Sequence, residues 1–183
     1  MLIDTSAHQE KVIEFEREAV LSIADGFAGV AAETFVVRYA DEVETLHDWS
    51  ALDTALRSVS PRIELDTESR KNRRTLLYDA LDVALLKLDT GNNANSRILI
   101  VVAEGNDAGS VTKYSQSKKR AKSAHVQCFV LLVADHELIG GRVRRFGFDL
   151  YDLASATKGK AYDVGNSRKR LGTAVRDLVK RVH

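Results

Sequence analysis

Short, wholly apolar runs alternate along the chain with amphipathic stretches. "RILIVVA" at 97–103 and "VQCFVLLV" at 126–133 are continuous apolar runs, the pattern of strands buried on both faces. "TFVVRY" at 34–39 is β-branched and aromatic. "ADE" then turns the chain, and "VETLHD" returns as an antiparallel partner. "KAYDV" at 160–164 reads as a shorter strand, and Met1–Ile3 as the end of another. Between them lie helical periods. Val12, Phe15, Ala19 and Ile23 recur at helical spacing over 9–25, broadened by Ile13, Val20, Ala24 and Phe27, with Gly26 as a stop. A short helix is expected over "WSALDTALRSV", capped by Ser50 and followed by Pro61. A strong one spans 75–88, with Leu77, Leu81, Ala84, Leu85 and Leu88 as its stripe and Thr75 as its cap. A basic helix near 112–124, a short one around "FDLYDLASAT" and a last one over about 167–181 complete the series. "RIELDTESRKNRR" is the most polar stretch and reads as an exposed loop.

Strands alternating with helices predict an α/β fold with a mainly parallel sheet. The 183 residues suit one domain with one sizeable core. Apolar residues at 44% and charged residues at 29% describe a globular chain. A buried central strand usually has about five residues, yet only three precede Asp4. The expectation is therefore a single domain, 1–183, excised from a longer protein. The net charge of +1 gives no global pull toward nucleic acid or an anionic membrane. The basic clusters "SKKRAK", "GRVRR" and "SRKR" lack interleaved aromatics and read as solvated faces. No run approaches the roughly 18 residues of a membrane span, and no signal peptide is evident. Cys128, inside an apolar run, reads as a small buried hydrophobe.

Candidate chemistry follows from the sheet. Open α/β sheets bind ligands outside the carboxyl ends of their strands, at the point where strand order reverses. Asp4 and Ser6 follow the first strand. Glu104, Asn106 and Asp107 follow "RILIVVA", and Thr75 begins the helix that feeds it. Hard cations take carboxylate and hydroxyl oxygens plus water, and Asp4, Ser6, Thr75 and Glu104 supply that set if they converge. Each also has a plain structural reading, as a loop bond, a helix cap or a solvated acid.

These stretches together resemble a von Willebrand factor type A domain, and most closely the bacterial branch typified by acidobacterial proteins. "LIDTSAH" resembles the family's Asp-x-Ser-x-Ser strand end. "RRTLLYDALDVAL" resembles its Thr-x-Leu-Tyr-Asp-Ala helix start, and "RILIVVAEGNDAGS" its strand followed by Asp-Gly-x-Asp. "FDLYDLASATKGKAYDV" resembles its closing helix and strand. The resemblance covers nearly the whole chain. It implies a doubly wound sheet with one antiparallel edge strand, helices on both faces, and the first strand beside "RILIVVA". It also implies a metal-ion-dependent adhesion site at Asp4, Ser6, Thr75 and Glu104. There Mg²⁺ or Mn²⁺ keeps one coordination position open for a carboxylate of a partner protein. The implied role is binding, not catalysis, and the implied location is extracytoplasmic.

Two positions depart from that pattern. The second motif Ser is His8, whose imidazole suits softer ions. The acid before glycine is Glu104, one methylene longer than Asp. Three readings stand open. A divalent ion binds with His8 aside; the site has lapsed, leaving metal-free binding or a structural role; or His8 itself ligates a softer ion, with Asp107 as a further candidate. Arg73 or Arg74 pairing with Asp4 or Glu104 would fit the lapsed site. A grouping of His8, His136 and Glu104 lacks any recognised zinc spacing. An enzyme with Asp4 as nucleophile would want a second acid two residues on, where Ser6 stands. No Walker loop, G-x-G-x-x-G or G-x-S-x-G motif occurs.

Overall fold

A computed structural model of the protein describes residues 1–72, 74–91, 96–135 and 147–182. Strands β1 (Leu2–Asp4), β2 (Glu33–Tyr39), β3 (Val43–Ala51), β4 (Arg97–Ala103), β5 (Val126–Leu132) and β6 (Lys160–Asp163) form one sheet in the order β3-β2-β1-β4-β5-β6. All neighbours are parallel except the β2–β3 hairpin at one edge. Strand order reverses between β1 and β4, where Leu2 and Ile3 pair with Val101 and Val102. This is the doubly wound α/β fold expected from the alternation of patterns.

Helices α1 (Ile13–Gly26), α2 (Leu52–Val59), α3 (Glu68–Asn72), α4 (Leu77–Thr90), α5 (Tyr114–Ser123), α6 (Phe148–Ala156) and α7 (Arg168–Val182) pack on the two faces. One face joins Ile3, Val36, Val102 and Leu131 to the stripes of α1, α2 and α7. The other joins Leu2, Val37, Val101 and Val130 to α4, α5 and α6. Residues alternate between these faces along each strand, so β1, β4 and β5 must be apolar throughout. Cys128 belongs to the second face, and burial pushes its thiol up to about 12.

Several local expectations change. Trp49, Ser50 and Ala51 finish β3 and do not start α2. Ser50 Oγ bonds His47 Nε2 at 2.8 Å and caps nothing. Thr75 does not cap α4 either. Leu76 holds the cap position without a side-chain bond. Asp107 Oδ1 and Ser110 Oγ reach across from the loop after β4 to accept the exposed amides of Tyr78 and Asp79. A helix start needs acceptors for its first N–H groups, but they need not come from its own chain segment. The polar stretch after Pro61 is also more than an exposed loop. It holds α3, and Ser69, buried, accepts the Ala7 amide at 2.8 Å while the Asp66 amide donates to Thr5 O at 2.7 Å. These bonds fix the loop that follows β1. Arg73, His136 and the "GRVRR" cluster lie outside the described residues. In the other basic clusters, Lys118 pairs with Asp152, Arg120 with Asp82 and Arg168 with Glu18.

Candidate functional site

β1 ends at Asp4 and leads through Thr5 and Ser6 into a 3-10 turn, Ala7–Gln9, ahead of α1. The three residues Asp4, Thr5 and Ser6 are all buried. Thr5 is held by β2, its amide and hydroxyl both donating to Tyr39 O. Asp4 Oδ1 accepts the Ser6 amide at 2.9 Å. Asp4 Oδ2 accepts Gln9 Nε2 at 3.3 Å and Tyr39 Oη at 3.1 Å. The carboxylate is therefore gripped from its own loop and from β2. Burial pushes its pKa up, against the pull of the Ser6 amide, Gln9 and Tyr39.

Among the described residues, the buried side-chain atoms without a hydrogen-bond partner are Ser6 Oγ, Gln9 Oε1 and both Glu16 carboxylate oxygens. All belong to the stretch that leaves β1 and opens α1. Glu16 is fully buried; burial first, then the charges of Asp4 and Glu104, push its carboxyl well above the usual range. Asp4, Glu16 and Glu104 thus share one electrostatic neighbourhood at the switch point between β1 and β4.

The predicted site residues separate. Asp4 ends β1 and Ser6 follows it, while Glu104 follows the neighbouring strand β4, so the three lie at the carboxyl ends of the two central strands. Thr75, buried, is tied to the loop after β4 by paired backbone bonds with Ala108 (2.8 and 2.9 Å). Asp107 is engaged at the start of α4 through Tyr78 N and Ser110 Oγ (3.1 and 2.6 Å). His8 is exposed on the 3-10 turn, and Gln9 takes the inward position beside Asp4. Arg74 is exposed and acts on Asp41 and Asp79. Asp135, at the end of β5, pairs with Lys11 at 3.1 Å.

Sequence reasoning missed Glu16, Gln9 and Tyr39. Glu16 left a signal: it is spaced four residues from both Val12 and Val20, so it lies on the apolar stripe of α1. A charged residue in that stripe is either paired or functional.

A hard divalent cation takes oxygen ligands, and the orphaned oxygens of Ser6, Gln9 and Glu16 are of that kind. Asp4 Oδ1 accepts a single bond and keeps one lone pair, whereas Oδ2 is filled. Among the described residues no three His, Cys, Asp or Glu gather as a metal-binding group. A cation here would lean on hydroxyl and amide oxygens beside the carboxylates, and the donor chemistry fits Mg²⁺ or Mn²⁺ better than a softer ion.

No family model matches the chain, and no curated protein matches it. Solved structures do. A von Willebrand factor type A protein from Catenulispora acidiphila superposes with a TM-score of 0.75 at 14% identity, over 97% of this chain and 40% of that one. An aerotolerance-related membrane protein from Bacteroides fragilis gives 0.69 at 17% identity, over 98% and 96%. The pilus adhesin SpaC from Lactobacillus rhamnosus GG gives 0.66 at 9% identity, over 99% and 29%. This chain therefore spans well under half of the Catenulispora and Lactobacillus proteins. The likeness shows a von Willebrand factor type A fold, as the motif resemblance implied.

Proposed function

We propose that this chain is a protein-binding module that works through the crevice at the carboxyl ends of β1 and β4. In this reading Mg²⁺ or Mn²⁺ is held at Asp4 and Ser6, with Glu104 and Thr75 completing the site. An acidic side chain of the partner protein takes the open coordination position. The observation that carries the reading is the set of buried oxygens without donors around Asp4. Orphaned buried acceptors cost about 1–3 kcal/mol each, and a bound cation removes that cost. When bound, the ion would supply a fixed positive charge for a carboxylate. The chain's own residues orient Asp4 through Tyr39 and Gln9, and the Thr5 bonds to β2 hold the loop in place. The fold shared with an adhesin supports an interaction role, and the same likeness supports an extracytoplasmic address.

Binding, not turnover, is the role assigned to Asp4. Asp4 is buried and its carboxylate is gripped by the Ser6 amide, Gln9 and Tyr39, with only one Oδ1 lone pair left over, so it is held as a fixed acceptor and not presented to a substrate as a nucleophile would be. A second reading, a metal-free assembly domain, draws on the same bonds: protein donors already satisfy Asp4 Oδ2. Calorimetric titration of chelator-stripped protein with Mg²⁺ and Mn²⁺ separates the two. Uptake that Asp4→Ala abolishes supports the cation-dependent module. Absence of uptake by the unaltered chain leaves the metal-free reading.

A further inference from the structure

At the end of the sheet opposite the crevice, α5 and α6 run down to their carboxyl ends beside the first residues of β4 and β5. Ala124 O, just past α5, accepts Arg97 Nη1 at 3.1 Å, and Thr157 Oγ1, just past α6, accepts the Cys128 amide at 3.0 Å. Between these elements lies a cavity of about 530 Å³, open to solvent. Small-molecule sites commonly fall between about 300 and 1,000 Å³. Every ionisable side chain in its lining is basic: Arg97, Lys122, His125 and Lys158.

Two of these four stand where the backbone resists a side chain. Among the described residues, His125 (φ 54°) and Lys158 (φ 61°) are the non-glycine residues with positive φ. Each closes a helix: the His125 amide donates to Lys122 O at 3.2 Å and the Lys158 amide to Ser155 O at 3.3 Å. Glycine is the residue that usually closes a helix in this way, because a Cβ is unfavourable there. Stability alone would therefore place glycine at both positions. Cations do favour helix carboxyl ends, which accounts for Lys122 in the last turn of α5. It does not account for His125 and Lys158, since a cation within the helix gives the same benefit without the strain. Nor are the helix-end carbonyls short of donors: Ala124 N serves Arg120 O and Gly159 N serves Ala154 O, both at 2.9 Å. The next residue fixes where Lys158 sits. A Cβ on Gly159 would lie 1.9 Å from Cys128 O, so the chain there is pressed against β5.

We propose that this cavity binds a small phosphorylated molecule, with Arg97, Lys122, His125 and Lys158 donating to its phosphate oxygens. A phosphate group is a multiply charged acceptor, and arginine and lysine are its usual partners. Arg97 shares Nη1 with Asp89 at 3.3 Å and has further N–H groups to give. Lys122 and Lys158 are exposed, and neither pairs with an acid among the described residues. The rest of the lining is alanine, valine and uncharged polar residues, without Phe, Tyr or Trp. A nucleobase would have no such ring to stack on, so the chemistry favours a compact phosphate or diphosphate ester. The site is independent of the crevice and of any cation bound there.

The test titrates inorganic phosphate and inorganic pyrophosphate into the full chain, free of divalent metal, and follows the backbone amide signals by nuclear magnetic resonance. Expected are saturable shifts at the amides of Arg97, His125 and Lys158, with pyrophosphate binding the tighter. Joint substitution His125→Gly and Lys158→Gly relaxes both helix ends, so the melting temperature should rise while pyrophosphate affinity falls by about tenfold. Lys122→Gln, within a regular helical turn, should also weaken pyrophosphate binding, with little change in melting temperature. Lys169→Ala, which removes an exposed charge on α7, should leave the affinity unchanged. The proposal is overturned by the absence of saturable shifts at those amides, or by unchanged affinity in the glycine and Lys122→Gln variants. An equal loss in Lys169→Ala also overturns it, since that marks a diffuse charge effect. Binding to vesicles containing phosphatidic acid without binding to pyrophosphate overturns the small-molecule site in favour of a lipid surface.

Discussion

Gln9 donates to Asp4 Oδ2 at 3.3 Å, while His8, one residue earlier, is exposed. The 3-10 turn Ala7–Gln9 sets this parity, with the Gln9 amide donating to Ser6 O at 2.9 Å. His8→Ser should accordingly change Mn²⁺ affinity by less than about twofold, since the ring does not enter the crevice. Gln9→Leu removes both the bond to Asp4 and a candidate ligand oxygen, and should weaken binding at least tenfold. Parallel titrations of the two variants check this. A gain of affinity in His8→Ser would mean that the turn rearranges when the ion binds.

Tyr39 ties the second strand to the site. Its ring is fully buried, and its hydroxyl bonds Asp4 Oδ2 at 3.1 Å. Tyr39→Phe keeps the packing and deletes one donor to a buried carboxylate. A loss of about 1–3 kcal/mol is expected, measured as a lower urea midpoint with unchanged slope.

Gly105, directly after Glu104, has φ +101°, and a Cβ there would lie 2.5 Å from Gly147 Cα. Gly147 itself has φ +82°, and a Cβ there would lie 2.8 Å from Leu132 Cδ2. The backbone therefore crosses itself too closely for any side chain. Gly105→Ala should destabilise the protein by more than about 2 kcal/mol, through strain and a forced shift of backbone, and should displace Glu104. A comparison of melting temperatures tests it, with Gly172→Ala on α7 as the control, where a Cβ meets only Arg176 Nη1 at 3.6 Å.

Away from the crevice, Asp177 on α7 is bonded by Lys160 at 2.7 Å, Arg181 at 2.9 Å and Tyr162 at 3.0 Å. These hold its carboxyl well below the usual range, with Lys160 the largest influence. A lowered carboxyl pKa adds stability that is present above the unfolded value, near 4, and lost as pH falls through the folded one. The cluster is solvent-accessible, so screening keeps its worth to about 1 kcal/mol or less. Asp177→Asn should cost that much at pH 7, with the difference from the unaltered chain shrinking below about pH 4. Denaturation curves across that range are the check.

Much of the fold was legible in the order of apolar runs. β4 occupies the residues read from sequence, β5 falls one short at its end, and the β2–β3 hairpin follows the turn at "ADE". Continuous apolar runs leave little ambiguity when both faces of a strand are covered. Capping was not legible, because the acceptors for α4 come from Asp107 and Ser110, about thirty residues downstream. The same holds for the loop after β1, which is pinned by Ser69 from α3. In the site, Asp4, Ser6 and Glu104 were reachable from strand ends and motif. Gln9 was hidden by the turn, and Tyr39 by a pairing between strands distant in sequence. Glu16 was visible as a charge within an apolar stripe, and its meaning emerged only once Asp4 and Glu104 were seen to act on it.

The central claim is that the floor of this crevice holds a divalent cation. Anomalous diffraction from crystals of the unaltered chain grown with Mn²⁺ tests it most directly. The account predicts an anomalous peak bonded to Asp4 and Ser6 Oγ, and its absence in Asp4→Ala. Well-ordered crystals whose map shows no peak there, with water or direct protein hydrogen bonds filling the space, would contradict it.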